Sequence, residues 1–320
     1  MRWGIMGTGR IAGVLLTAIR AEGGEVVAVS SASRQRAEAF AADHGVARAH
    51  RHEDLVGDDD LDVAYVATTN DRHHADLLAC IGAGRPVLAE KPFTLDLAQA
   101  REVVAAARAA GVFVMEAMWM RFQPAFLEVE RRIAAGQIGE LRTVQADFGF
   151  PASDPTGRLF TAGLGGGSLL DVGVYPLTLA CSLLGTPTQV RALGELDVGG
   201  VDTQVSVAMR HQRGLSSWSC SLVSDTGVEA TACGSAGSLR LEAPFHHSAR
   251  ITHRRRGEVV EEFSVPDADL RYRLEVREVH RCLERGAVES ARMPLDVTLT
   301  VMEWLDELRG QVGVVAHPRG

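Results

Sequence analysis

A lysine closes an apolar run at residues 87–93, VLAEKPF. Val87 and Leu88 read as buried strand, where an ammonium is unwelcome. Lys91 is therefore either carried out of the core with its stem snorkelling along apolar surface, or set there to move a proton. Pro92 lacks a backbone N–H and holds Lys91 extended, which ends the strand at that point. Near the N-terminus, Gly7-Thr8-Gly9 and Ala12 have the spacing of a phosphate cradle: one glycine for a tight turn, one for close backbone approach, and a small residue for helix–strand packing. The N–H groups and dipole of a following helix would then face an anion. In GGGSLLDVGVYP (165–176), Asp171 and Tyr175 are four residues apart and share one side of a helix. The same two residues could equally be a dipole-favoured acid and a core phenol.

These groups need a frame. RWGIM reads as a short strand, and Ile11, Leu15 and Ile19 follow at helical spacing. EVVAVSSASR supplies a second strand about 20 residues beyond the glycines, the distance expected for a dinucleotide site. LDVAYVAT (61–68) is a third strand, DRHHADLLACIGAG a helix, and PVLAE another strand. Such alternation predicts a parallel, doubly wound sheet. Ligands of these sheets bind outside the carboxyl ends of the strands, which is where Lys91 lies. The second strand ends without the acid that would bind ribose hydroxyls. Ser30, Ser31, Ser33, Arg34 and Arg36 stand there instead, a set that suits a 2′-phosphate, so NADP is favoured and NAD is possible. Arg34 and Arg36 could also be ordinary exposed helix residues.

The second part of the chain changes period. After a helical stretch at Glu128–Ile138 come alternating runs such as LRTVQADFGF, TQVSVAMR, LSSWSCSLVS, GVEATACG and SLRLEA, separated by turns such as HQRG and GSAG. HRRRGE (253–258) reads as a solvated hairpin turn. The chain has 320 residues, 46% of them apolar, with a formal charge of −8. It is long enough for two domains, and that charge argues against a nucleic-acid or anionic-membrane partner. Five scattered cysteines without a C-x-x-C pair argue against disulfides and a zinc site, and no metal is expected. No apolar signal sequence precedes the first strand, so a cytoplasmic protein is expected.

With AEKP after the fourth strand, ATTNDRHH (67–74) and GLGGGSLLDVGVYP (163–176), the chain resembles the glucose–fructose oxidoreductase / inositol dehydrogenase / MocA family. MEAMWMRFQP (115–124) is most similar to the branch of dimeric dihydrodiol dehydrogenases and NADP-dependent D-xylose dehydrogenases. The resemblance implies a Rossmann domain over residues 1–118 and a substrate-binding and dimerisation domain over 119–320, an α/β domain with a large, mostly antiparallel open sheet. It implies Lys91 as the acid/base, with Asp171 and Tyr175 opposite it across the substrate pocket and Trp119 and Phe148 as pocket walls. Many relatives carry His at the Tyr175 position. Cofactor contacts are expected from Gly7, Thr8, Gly9, Arg10, Ile11, Ser31, Arg34, Thr68, Asn70, His73, Glu90 and Lys91. Thr69 replaces the proline of the family's T-P-N-x-x-H stretch, which puts that loop's geometry in question, and His73 is more readily structural than catalytic. The implied activity is hydride transfer between nicotinamide and a hydroxyl or carbonyl of a sugar, polyol or cyclic diol, in a homodimer built through the C-terminal sheet. Two other readings of the family, a redox-silent dinucleotide sensor and an NAD-dependent glycoside hydrolase, fit less well. The E-K-P and Asp/Tyr sets are intact, and His is absent at position 175.

Overall fold

The computed structural model describes residues 1–314. The described chain divides into two compact units, Met1–Trp119 with Tyr272–Met302, and Met120–Arg271 with residues 303–314.

The first unit is built on six strands: β1 (Arg2–Met6), β2 (Glu25–Ser30), β3 (Arg48–His50), β4 (Val63–Val66), β5 (Val87–Ala89) and β6 (Val114–Glu116). All five pairings are parallel, in the order β3-β2-β1-β4-β5-β6. Near-continuous apolar strands are what a sheet covered on both faces requires: every residue of β4 and β5 is buried. The order reverses between β1 and β4, so a switch point opens at their carboxyl ends.

Local chemistry fixes the helices around this sheet. Ser33 accepts a hydrogen bond from the Arg36 N–H at the start of Arg34–His44, and Asp96 accepts from the Gln99 N–H at the start of Leu97–Ala110. Both helices end on a left-handed glycine, Gly45 and Gly111. The returning segment Tyr272–Met302 closes the unit. Trp3 Nε1 donates to His280 Nε2 at 3.1 Å, and Thr298 Oγ1 donates to the buried Glu116 carboxylate at 2.8 Å.

The second unit holds an eight-stranded sheet: β7 (Leu141–Gly149), β8 (Pro187–Leu196), β9 (Asp202–His211), β10 (Gly214–Ser221), β11 (Ala230–Gly234), β12 (Ser238–Leu241), β13 (Arg250–Arg255) and β14 (Glu258–Ser264). Its order is β14-β13-β12-β11-β7-β10-β9-β8, antiparallel throughout except for the central β7–β10 pair. One face is apolar: Val144, Met209, Trp218, Ala230, Ala232, Leu239 and Leu241 are buried. The register aligns Asp147, Ser219, Ser206 and Leu193 in one row of the opposite face.

The HRRRGE turn falls between β13 and β14, with Arg256 and Gly257 both at positive φ, the conformation of a tight hairpin turn. The helix expected over Glu128–Ile138 lies earlier, at Pro124–Ala134. Its start is at Pro124, a residue that the first helical turn tolerates because its missing N–H has no partner there. Among the described residues one helical run, Ala162–Leu184, is long and apolar enough to cross a membrane, but 89% of its apolar window is buried inside the protein.

Candidate active site

In the first unit the site residues gather at the carboxyl ends of β1, β2, β4 and β5. Gly7 follows β1 with φ +118°, and a Cβ there would collide with the Ala67 carbonyl beyond β4. Only glycine fits that turn. Gly9 differs: a Cβ on it would meet nothing within 4 Å. It caps the helix Arg10–Ala21 with no side-chain hydrogen bond; the Ala12 N–H turns back to the Gly9 carbonyl at 3.1 Å, and no side chain competes with an anion for the N–H groups before it. A tight turn, open space over Gly9 and an uncapped positive dipole end suit the pyrophosphate of a dinucleotide. Thr8, Arg10 and Ile11 belong to the same turn.

At the end of β2, Ser30 and Ser31 are buried, and Ser30 Oγ lies 3.0 Å from His52 Nδ1. Arg34 is exposed and pairs with Glu38 one helical turn on. Beyond β4, Thr68 Oγ1 donates to Asp76 at 2.8 Å, and the Arg72 guanidinium donates to the other oxygen of the same carboxylate. Asn70 opens a short 3-10 turn before the helix His73–Gly82 and is buried.

His73 is buried under the Lys91 turn. Its Nδ1 lies 2.8 Å from the Pro92 carbonyl and its Nε2 lies 3.3 Å from the Thr68 carbonyl. Burial keeps its pKa below the ordinary histidine value, so the ring is neutral at pH 7. Its one proton suits the shorter contact, donated from Nδ1 to Pro92. The ring thus ties the loop after β4 to the turn after β5, despite the Thr69 substitution.

Glu90, unassigned by its spacing alone, anchors Lys91. The Tyr65 hydroxyl donates to Glu90 Oε1 at 2.5 Å, and the Lys91 backbone N–H donates to Glu90 Oε2 at 3.1 Å. Tyr65 is fully buried, and burial foremost, then the Glu90 charge, pushes its pKa well above the usual phenol range. Trp119 packs on Tyr272 with ring centroids 4.4 Å apart. Tyr272 carries no motif that would have drawn attention to it.

In the second unit, Asp171 lies in a five-residue π-turn, Leu169–Gly173, that leads into the helix Val174–Leu184 bearing Tyr175. Such single π-turns inside helices recur at functional sites. Asp202, buried on β9, holds the start of this segment: it accepts from Ser168 Oγ at 2.8 Å and from the Leu169 N–H at 2.7 Å. Arg158 donates to Asp171 at 3.0 Å. Tyr175 is buried, its ring centroid 5.3 Å from that of Phe148. His246 stacks on Phe148 at 4.6 Å and 15°. Spacing drew attention to neither Arg158, Asp202 nor His246. Among the described residues no group of three or more His, Cys, Asp or Glu could hold a metal ion.

Comparison with known proteins agrees with this architecture. Residues 1–118 match the oxidoreductase family described by its NAD-binding Rossmann fold, and residues 126–240 match the GFO/IDH/MocA C-terminal domain. The chain belongs to the GFO/IDH/MocA family and is a nicotinamide-dinucleotide oxidoreductase acting on CH–OH groups. Along its whole length it is similar to proteins named trans-1,2-dihydrobenzene-1,2-diol dehydrogenase. The mouse protein is 33% identical over 98% of this chain and 97% of that one, and the zebrafish protein is 34% identical over 98% of each. Among solved structures, a 3-ketoreductase from Actinomadura kijaniata in complex with NADP and TDP-benzene superposes with a TM-score of 0.88 at 26% identity, covering 97% of both chains. An aldose-aldose oxidoreductase from Caulobacter crescentus shares the fold, with a TM-score of 0.88 at 22% identity over 98% of this chain and 97% of that one.

Proposed function

We propose that the chain is an NADP-preferring dehydrogenase or reductase of a sugar, polyol or cyclic diol, in which Lys91 is the acid/base and Asp171 and Tyr175 assist it. The observation that carries this reading is the position of Lys91. It stands past the carboxyl end of β5, its backbone fixed by Glu90, in a turn joined by His73 to the loop after β4. The names of the diol dehydrogenases and of the NADP-bound ketoreductase support the substrate class and the cofactor. So does the absence of an acid at the end of β2.

The bound nicotinamide supplies a hydride acceptor or donor. Gly7 and Gly9 would admit the pyrophosphate, and the uncapped N-terminus of the helix Arg10–Ala21 would hold it. Ser31 and Arg34 take the 2′-phosphate, Arg34 leaving or sharing Glu38. In oxidation Lys91 Nζ receives the proton of the substrate hydroxyl, and in reduction it returns that proton to the forming alkoxide. The Tyr175 phenol donates to the reacting oxygen, while Asp171, oriented by Arg158, accepts from a neighbouring hydroxyl. Trp119 and Phe148 give the pocket flat apolar walls. In this division of labour residues 1–118 bind the dinucleotide, and 119–320 bind substrate and form a homodimer. Support for the dimer is the open sheet face, where small polar residues line up with Leu193, 83% exposed. All five cysteines are thiols, in keeping with a cytoplasmic setting.

The test is a turnover screen with NADP⁺ and NAD⁺ against sugars, polyols and cyclic diols, run on wild type and Lys91→Met. The variant should fold and bind NADPH yet lose at least 100-fold in kcat, on the order expected for loss of general acid–base catalysis. Near-wild-type turnover would remove Lys91 from the mechanism. Light scattering at micromolar concentration should show a dimer.

A further inference from the structure

Successive residues of a strand point to opposite faces, and on β7 the pair Asp147 and Phe148 divides in this way. Phe148 packs against Tyr175 and His246 on the apolar side. Asp147 stands on the other side, in the row with Ser219, Ser206 and Leu193. Its carboxylate nevertheless leads back to the same rings. Two successive backbone N–H groups converge on it, that of Val228 on Oδ1 at 2.6 Å and that of Glu229 on Oδ2 at 3.5 Å. Val228 sits at φ +51°, a left-handed conformation that a β-branched residue takes only where its surroundings impose it. The Val228 carbonyl then accepts the Phe245 N–H at 2.8 Å. Phe245 is buried and opens the short turn Phe245–His247. That turn lays the His246 ring on Phe148 at 4.6 Å and 15°, with its centroid 5.3 Å from that of Tyr175.

We propose that Asp147 is a positioning residue for the substrate site, acting from the far face of the sheet through Val228 and Phe245 on the His246 ring. Without the carboxylate, the Val228 N–H loses its acceptor and the valine relaxes toward negative φ, which turns its carbonyl away from Phe245. The Phe245–His247 turn then loses that tether, and His246 no longer packs squarely on Phe148 and Tyr175. The effect on turnover rests on the reading of Phe148 as a pocket wall and of Tyr175 as a donor; the linkage from Asp147 to His246 does not.

The test follows His246 itself, by the imidazole C–H signals in NMR spectra of the full-length protein, assigned through their loss in His246→Gln. Stacking on Phe148 should place them upfield of an unstacked histidine's. In Asp147→Ala they should return to the ordinary position. Asp147→Asn keeps an acceptor for the Val228 N–H and should fall between the two. Glycine reaches positive φ without steric cost, so Asp147→Ala/Val228→Gly should recover at least half of the displacement. Kinetics use the substrate turned over fastest in the screen of sugars, polyols and cyclic diols. There Asp147→Ala should raise KM at least fivefold, with NADPH affinity within twofold of wild type, and adding Val228→Gly should lower KM again at least threefold. A His246 signal unmoved in Asp147→Ala would overturn the linkage, and so would a double variant no better than the single one. If Asp147→Ala does not fold, Asp147→Asn and Asp147→Asn/Val228→Gly make the same comparison at smaller amplitude. Signals that move and are rescued while KM stays constant would uphold the linkage and refute the reading of Phe148 and Tyr175 as substrate residues.

Discussion

The Arg158 guanidinium reaches the Asp171 carboxylate across 3.0 Å, with the arginine side chain 49% exposed and the aspartate 11%. An exposed cation holding a nearly buried acid contributes little to stability, but it fixes where the carboxylate points. Arg158→Met should lower kcat/KM about tenfold, equal to roughly 1.4 kcal/mol. Most of that loss should fall in KM for the substrate, with Tm within about 2 °C of wild type. An unchanged KM would show that Asp171 is oriented by other means.

The two glycines of the cradle should fail differently. Gly7→Ala forces a Cβ into the Ala67 carbonyl at positive φ, a strain of several kcal/mol, and should abolish stable expression. Gly9→Ala meets no protein atom and should keep the wild-type Tm while NADPH binding weakens at least tenfold. Normal NADPH affinity in Gly9→Ala would contradict the placement of the pyrophosphate over this turn.

Asp202 holds the segment that carries Asp171. Asp202→Ala would leave the Ser168 hydroxyl and the Leu169 N–H, both buried, without their acceptor. A cost of about 3 kcal/mol is expected for such a loss, readable as a drop of several degrees in Tm. Activity should fall further than stability alone predicts, since the π-turn shifts with its anchor.

Acid should destabilise the protein before carboxylates in the usual range titrate. Burial foremost holds His52, His73, His211, His247, His253 and His280 below the ordinary histidine value. The unfolded chain therefore binds more protons than the folded one as pH falls through about 6.5, and stability is lost in that direction. Tm should be lower at pH 5.5 than at pH 7.5. Burial foremost pushes the Glu275 carboxyl well above the usual carboxylate range, so it opposes this slope and Glu275→Gln should steepen it. A flat or inverted wild-type profile would show that these rings take up protons while folded.

Much of the first unit was legible because its rules are local. The Gly7-x-Gly9 turn, the strands and the Lys91 strand end each follow from a few adjacent residues. What escaped depends on contacts that no spacing rule reaches. Arg158 meets Asp171 across 13 residues, and Asp202 meets Leu169 across 33. Glu275, fully buried with neither carboxyl oxygen hydrogen-bonded, lies on a helix far along the chain that carries no motif. The strand β8 was missed because it is mostly exposed, which leaves little alternation to read. The helix at Pro124–Ala134 was placed late because its opening proline resembles an interruption.

The return of Tyr272–Met302 to the first unit reaches beyond the site to the synthesis of the chain. Trp3 and Glu116 find their hydrogen-bond partners in His280 and Thr298, residues made long after the glycine turn and the lysine. A nascent chain holding only the family's 118-residue match has every strand of the parallel sheet and still lacks part of its wall. Fragments cut at that boundary should be sticky and short-lived, and maturation of the dinucleotide site should await synthesis of the chain through Met302. The unit that carries the glycine turn is thus begun before the eight-stranded sheet is made and completed only after it.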